Sequence, residues 1–532
     1  MTRQELSRHF LRKQREQRRL RQAKEYEQAI QILEELRKVP GMMEIEELRA
    51  EILYELACGY SLLGRKKKAV SYLKEALDTN LIGVLSAEYS RDLDPVRGEA
   101  GYKEIVSRHT AALAFWDNPS FSTPYRKNIS TNDKIAGLSK LWAEVKYNFA
   151  YFDNVPEVDW NELYLSYLPK VRKSKSTLEY YLLLQEMLAQ LKDGHTSIYY
   201  PAELQEFIAW RPCMNTELIE DKVLVSDAPH EALRKDGVRL GLEVIAVDGM
   251  PVHEYADRKV RPYQSASTRQ ALDRMTYWAF LLSGSKDSTV TVMFADERGK
   301  TFERVLPRLG AGWIGVYPPV ELKMLGENIA YAAVNTMGDD TMPETFDSMF
   351  PSIEKADALI IDVRRNGGGS SHNGYRILGY LTDRPFKSER VNTRGYFPFR
   401  RARGCVPGWV KVGFGERSPN GDRHFAKPVV VLIGPDTCSA AEDFCVAFDV
   451  MKRGKMIGEG TSGSTGQPLI VSLPGGGRAR VCTPTCTYPD GREFVGVGIQ
   501  PDIRVRPTVA DVRAGRDTVL EAALDYLGTV TE

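Results

Sequence analysis

The stretch Ala358-Leu359-Ile360-Ile361-Asp362-Val363-Arg364-Arg365-Asn366-Gly367-Gly368-Gly369-Ser370 decides the fold. Its first half is apolar at consecutive positions, which predicts a strand covered on both faces. Its second half ends that strand with three glycines, and glycines let backbone amides approach a ligand closely. A helix is expected to follow at 373–382. The run Pro428-Val429-Val430-Val431-Leu432-Ile433 repeats the pattern, and a helix from Ala440 to Arg453 follows it. From about 326 to 506 strands alternate with helices, which calls for helices on both sides of a sheet. Residues 311–510 are read as an α/β core, with a C-terminal helix at 511–532.

Upstream the period changes. Residues 215–310 hold short strands (Val223–Val225, Glu243–Val247, Val290–Met293) with Asp-Gly turns and one helix near 267–283. The segment Gly241 to Val252 resembles a PDZ module, which takes a peptide as an added strand. Residues 136–214 are helical up to the stop signal Asp193-Gly194. Residues 116–135, with Pro119, Pro124 and several Ser and Thr, read as a linker. In 28–115 the residues Leu53, Leu56, Ala57, Tyr60, Ala69, Leu73 and Ala76 flank a turn at Gly64 and resemble one tetratricopeptide (TPR) unit. Residues 1–27 are expected to form a charged, basic helical arm with no apolar face, hence a solvated one.

The chain has 532 residues, enough for about three to five domains. Lys plus Arg number 72 against 71 Asp plus Glu, so the net charge of +1 gives no pull toward nucleic acid or an anionic membrane. No apolar run approaches the ~18 residues of a membrane span. The basic N-terminus is not followed by the apolar stretch of a secretory signal. Seven thinly spread cysteines fit free thiols better than a disulfide framework. A cytoplasmic protein is expected.

Three sites could carry chemistry. Ser439 lies between a buried strand and a helix, and the amide of Ala440 lies at that helix's positive end, a natural donor to an oxyanion. The same residues, Ser439-Ala440-Ala441-Glu442, also read as an ordinary capping box. The glycine turn at 367–369 is either a ligand-facing loop or merely a flexible turn. It is not a phosphate loop, for no Gly-x-x-x-x-Gly-Lys-Ser/Thr is present. His195, in Asp193-Gly194-His195-Thr196, is an ordinary surface residue unless it meets Ser439. Asp362 is read as structural, bonding nearby backbone. The stretch Arg390 to Arg403 holds five arginines among Tyr396, Phe397 and Phe399, and reads either as a contact for a peptide carboxylate or as a solvated loop. No metal-ligand pattern occurs, Cys482 and Cys486 lying four apart on a strand–loop segment.

Together these blocks, with Gly458-Glu459-Gly460-Thr461-Ser462-Gly463 and Gly496-Val497-Gly498-Ile499-Gln500-Pro501-Asp502-Ile503, resemble the S41 serine peptidases in order and spacing over roughly 136–506. The family includes tail-processing proteases and the tricorn core protease. The resemblance implies a ClpP/crotonase-like β-α spiral core, a PDZ-like insert, a peptide or polypeptide substrate and no cofactor. Tail-processing members use a lysine base 25 residues after the nucleophile; here that position is Ser464. Lys452 and Lys455 should be carried away by the nucleophile's helix. The resemblance to tricorn-like members then makes His195 the base for Ser439, with Glu493 orienting it and Asp490 as second choice. It implies an oxyanion hole from Ala440 and Gly368, and substrate contacts at Gly367, Gly369 and Thr461. Oligomeric state is left open. Two other functions compete: a binding scaffold that keeps the fold without catalysis, and an acyl-CoA enzyme.

Overall fold

The computed structural model describes residues 1–115, 119–227, 230–311, 317–326, 328–339, 341–412, 415–420 and 423–531. The chain forms two compact units, Met1–Ser120 and Phe121–Glu532. Residues 116–118 of the expected linker lie outside the described residues.

The first unit is helical. Helices Glu46–Leu62 and Lys66–Leu77 form an antiparallel pair across the left-handed Gly64, and Leu53, Leu56, Ala57, Tyr60, Ala69, Leu73 and Ala76 are all buried. The arm is corrected. Its helix, Arg3–Gln22, is packed rather than solvated: Leu6 and Phe10 are buried in the helical core. The stripe continues with Gln14 and Gln17, whose amides donate to Glu51 and Glu55. A buried face finished with glutamines has the right spacing for a helix stripe but no hydropathy signal.

The second unit is a mixed α/β fold built on a six-stranded sheet. Its order is Val320–Leu325, Ile329–Val334, Ala358–Asp362, Val429–Ile433, Lys455–Gly458, Ile503–Arg504. The first pair is antiparallel and the remaining pairs are parallel. Alternation sorts the central strands between two layers. Leu359, Ile361, Val429, Val431 and Ile433 meet helices Met342–Ile353, Ser371–Leu378 and Ala440–Met451. Ala358, Ile360, Val430 and Leu432 meet Val519, Ala523 and Leu527 of the C-terminal helix Thr518–Thr531. Asp362 accepts from the Arg364 backbone N–H, as expected, and also from Tyr331 Oη at 2.7 Å. Arg364 in turn pairs Asp517 at the start of that last helix.

A second core joins helices Thr131–Asn148, Trp160–Lys173 and Thr177–Ala189 to a hairpin, Pro468–Ser472 with Arg478–Cys482. The first of these helices starts at Thr131, so the non-helical connection is shorter than the expected linker. Its N-cap Ser130 accepts from Asp133 N–H and sets that start. Strand Ser197–Tyr199 pairs with Arg478–Cys482 and ties the helices to the hairpin. Residues 216–307 form a separate antiparallel sheet with its own core around Val223, Val244 and Phe294.

Candidate active site

Ser439 is delivered by a pinned turn. Thr437 Oγ1 donates to Val363 O at 2.9 Å and accepts from Gly434 N–H, and Cys438 N–H donates to Asn366 O. The turn is thus fastened to the end of the neighbouring strand. Ser439 itself has φ 57° and ψ −126°. This is the conformation of the first central residue of a type II′ turn, where glycine predominates. A residue held this way costs of order 1–3 kcal/mol. The capping-box reading fails: the serine hydroxyl makes no cap bond. It lies instead 3.1 Å from His195 Nε2.

His195 follows helix Thr177–Ala189 in a tight turn that begins with Lys192 at φ 47°. The turn is clamped on every side. Asp193, buried, accepts Thr196 Oγ1 at 2.6 Å; Gly194 N–H donates to Ser267 Oγ; Arg480 donates to Gly194 O. His195 is therefore no surface residue, being only 6% exposed. Burial, helped by the Arg480 cation, pushes its imidazole down to about 3. Burial pushes the Asp193 carboxyl up to about 6. At neutral pH the imidazole is uncharged, the form that accepts a proton.

The other ring nitrogen, Nδ1, is 2.7 Å from Ser464 Oγ. Glu493 is not there. It is exposed, on a bridge to Thr487, while Asp490 is exposed and paired with Arg492. The carboxylate behind the site is Glu442, on the first turn of the Ser439 helix and fully buried. It accepts from Thr461 Oγ1 at 2.5 Å, Gly463 N–H at 2.7 Å and Ser464 N–H at 2.8 Å. Sequence reasoning noticed both residues and missed their part. Ser464 registered only as a missing lysine, and Glu442 only as a capping partner. The signal available was a glutamate on an otherwise apolar helix face. Thr461 is also placed differently from the expected substrate contact. It is buried, and its hydroxyl joins Glu442 to Ile499 N–H. Lys452 and Lys455 pair with Asp449 and Asp502.

Burial raises the Glu442 carboxyl to about 7 from an ordinary 4.5. The folded state therefore holds this proton more tightly than the unfolded chain. Its contribution to stability is complete below about 4.5 and is lost as pH rises through about 7, up to roughly 3 kcal/mol in all. Glu442→Gln removes this titration. Denaturant unfolding at pH 5 and pH 8 should show the variant gaining stability relative to wild type as pH rises. Its amide also faces backbone N–H groups with a donor, so turnover should drop by about tenfold.

The glycine turn packs directly on the serine. At Gly368 (φ +100°) a Cβ would lie 2.6 Å from Ser439 Cβ and 3.0 Å from Ala440 N. The Gly368 N–H already donates to Asn366 Oδ1 at 2.9 Å. Gly367 is exposed. Gly369 has φ +137°, and a Cβ there would stand 2.1 Å from Gly338 N. No side chain can give way, because the obstacle is backbone. Gly369→Ala should cost at least about 3 kcal/mol, read as a lower denaturation midpoint, and should reduce turnover with it.

Residues 328–505 match peptidase family S41, and residues 138–189 match the tricorn protease C1 domain. The chain is 24% identical to a carboxyl-terminal-processing protease of Picosynechococcus over 76% of its own length and 92% of the relative's. It is 22% identical to a chloroplastic C-terminal processing peptidase of Tetradesmus obliquus, over 65% and 72%. Among solved structures it resembles mature CPAF complexed with lactacystin, with TM-score 0.58 and 16% identity, over 75% of this chain and 98% of that one. The matched segments are the central sheet and the helices leading to the histidine turn, and through them the chain is similar to the serine peptidases of family S41.

Proposed function

We propose that Ser439 is the nucleophile, His195 its general base, and Ser464 the residue that orients the base. The observation that carries this reading is the continuous line Ser439 Oγ, His195 Nε2, His195 Nδ1, Ser464 Oγ, with contacts of 3.1 and 2.7 Å. A serine hydroxyl is a weak nucleophile without an adjacent base. Here the uncharged imidazole takes the hydroxyl proton on Nε2 as Oγ bonds to the substrate carbonyl carbon. The same proton then passes to the leaving amine, the C–N bond breaks, and water hydrolyses the acyl-enzyme by the reverse relay. For Nε2 to accept, Nδ1 must carry the hydrogen and donate it to Ser464 Oγ. Glu442 holds the loop that presents Ser464.

The oxyanion is met by Ala440 N–H at the start of the Ser439 helix. Gly368 N–H is the second donor, exchanging Asn366 Oδ1 for a charged acceptor, the stronger of the two. Gly367 and Gly369 line the approach. The substrate is a polypeptide, and the names of the processing proteases above favour its C-terminal region. Residues 215–310 act as a PDZ-like module that adds the substrate as a strand, and residues 28–115 as a TPR-like helical region. The seven cysteines, all unbridged, fit a reducing compartment such as the cytoplasm. A fluorophosphonate probe tests the reading: wild type is labelled at Ser439, and labelling elsewhere or nowhere overturns it.

A further inference from the structure

The segment that connects the core's two central strands carries a run of unbalanced positive charge. Residues 390–412 contain six cations and no Asp or Glu, in a protein whose total balance is +1. They form two strands, Arg390–Gly395 and Gly408–Val412, joined by the short helix Pro398–Arg401. Gly408–Val412 is the edge of its three-stranded sheet, and every one of its residues is exposed. Trp409, Val410 and Val412 are each more than 40% exposed. Apart from Lys411 this edge strand carries no charged side chain to blunt it, and it is open.

The cations stand ready rather than paired. Arg394 lies over the Trp409 ring at 5.0 Å, Arg400 over Phe397 at 4.7 Å and Arg403 over Phe399 at 4.3 Å. Arg401 donates to Tyr147 and Tyr396. Among the described residues none of the four meets a carboxylate. Beside the sheet is a cleft of about 510 Å³, lined by Arg390, Trp409 and Lys411, with Asp153 and Glu493 on other walls. The sheet is joined to the site through the chain. Strand Pro484–Thr487, which completes this sheet, directly follows Arg478–Cys482, and that strand's Arg480 and Cys482 hold the histidine turn.

We propose that this edge docks an extended acidic polypeptide segment, as an added strand whose carboxylates meet the four arginines. The edge offers unpaired backbone groups to another backbone. Guanidinium forks match carboxylates bidentately. The aromatic faces are already covered by arginine, which leaves them poor platforms for stacking nucleic-acid bases. The occupant is the part of a substrate that lies outside the cleaved bond, so the proposal rests on the peptidase reading above.

Binding separates the two. Full-length Ser439→Ala is titrated into a fluorescein-labelled 12-residue peptide of alternating Glu and Val, and into the same peptide with Gln for Glu, by anisotropy. The acidic peptide should bind at least about tenfold tighter, and Arg400→Gln/Arg401→Gln/Arg403→Gln in that background should remove the difference, with circular dichroism unchanged. Lys411→Gln is a second, single-residue variant that should weaken the acidic peptide alone. Equal binding of both peptides, an unaffected triple variant, or tighter binding of an oligonucleotide of equal charge overturns the proposal. Binding as expected without any hydrolysis by wild type would sink the peptidase chemistry and leave the surface standing.

Discussion

Ser439→Ala should lower kcat by about a millionfold and abolish fluorophosphonate labelling, the scale seen when a serine nucleophile is removed from a comparable relay. Residual hydrolysis from binding and the amide donors should remain. The same position makes a second, opposite prediction about stability. At φ 57° and ψ −126° a serine is strained and a glycine is not. Ser439→Gly should therefore be as inactive as the alanine variant yet more stable than wild type by about 1 kcal/mol, measured by denaturant unfolding. An active site that stores strain in its nucleophile gives this split between activity and stability. A bland helix cap would give the reverse, since removing a cap costs about 1 kcal/mol and leaves turnover alone. Retained turnover in the alanine variant would remove Ser439 from the mechanism.

The split between what could be read in the sequence and what could not follows the range of the signals. Strands Ala358–Asp362 and Val429–Ile433 announce themselves by unbroken apolar runs, and both lie where expected at the centre of the sheet. Ser439 is placed by its strand–turn–helix corner, a local pattern. Its partner is 244 residues away, and no local pattern reports that contact. Family resemblance supplied it. The same resemblance made Glu493 the carboxylate that orients the imidazole, and Glu493 is instead exposed, on a bridge to Thr487. Ser464 Oγ stands at the imidazole because three hydrogen bonds to Glu442 fold the 461–464 loop around a carboxylate. A buried carboxylate surrounded by N–H donors satisfies the rule that buried charge be hydrogen-bonded, but hydropathy reads it as a surface residue. Gln14 and Gln17 hid the packed face of the first helix for the same reason.

His195→Ala should be nearly as damaging as loss of the serine, since the two act as one unit and their effects do not add. Ser464→Ala should be milder and more informative. The substitution leaves the imidazole in place but removes the group that selects the tautomer with hydrogen on Nδ1. In a serine relay whose orienting residue favours the wrong tautomer, kcat falls by about 10⁴. A neutral hydroxyl contributes less than a carboxylate, so a loss of about 10–100-fold in kcat with KM unchanged is expected. A double variant with His195→Ala should lose no more than His195→Ala alone. Additive losses would mean that Ser464 acts through something other than the histidine. Arg480 supplies the pH test. Its cation helps to hold the imidazole below its ordinary 6.5. Arg480→Gln should raise that value, and because protonated imidazole cannot act as base, the acid limb of kcat/KM should move to higher pH. A limb that stays where it was would mean that another group sets it, and Glu442, raised to about 7, would be the first to examine.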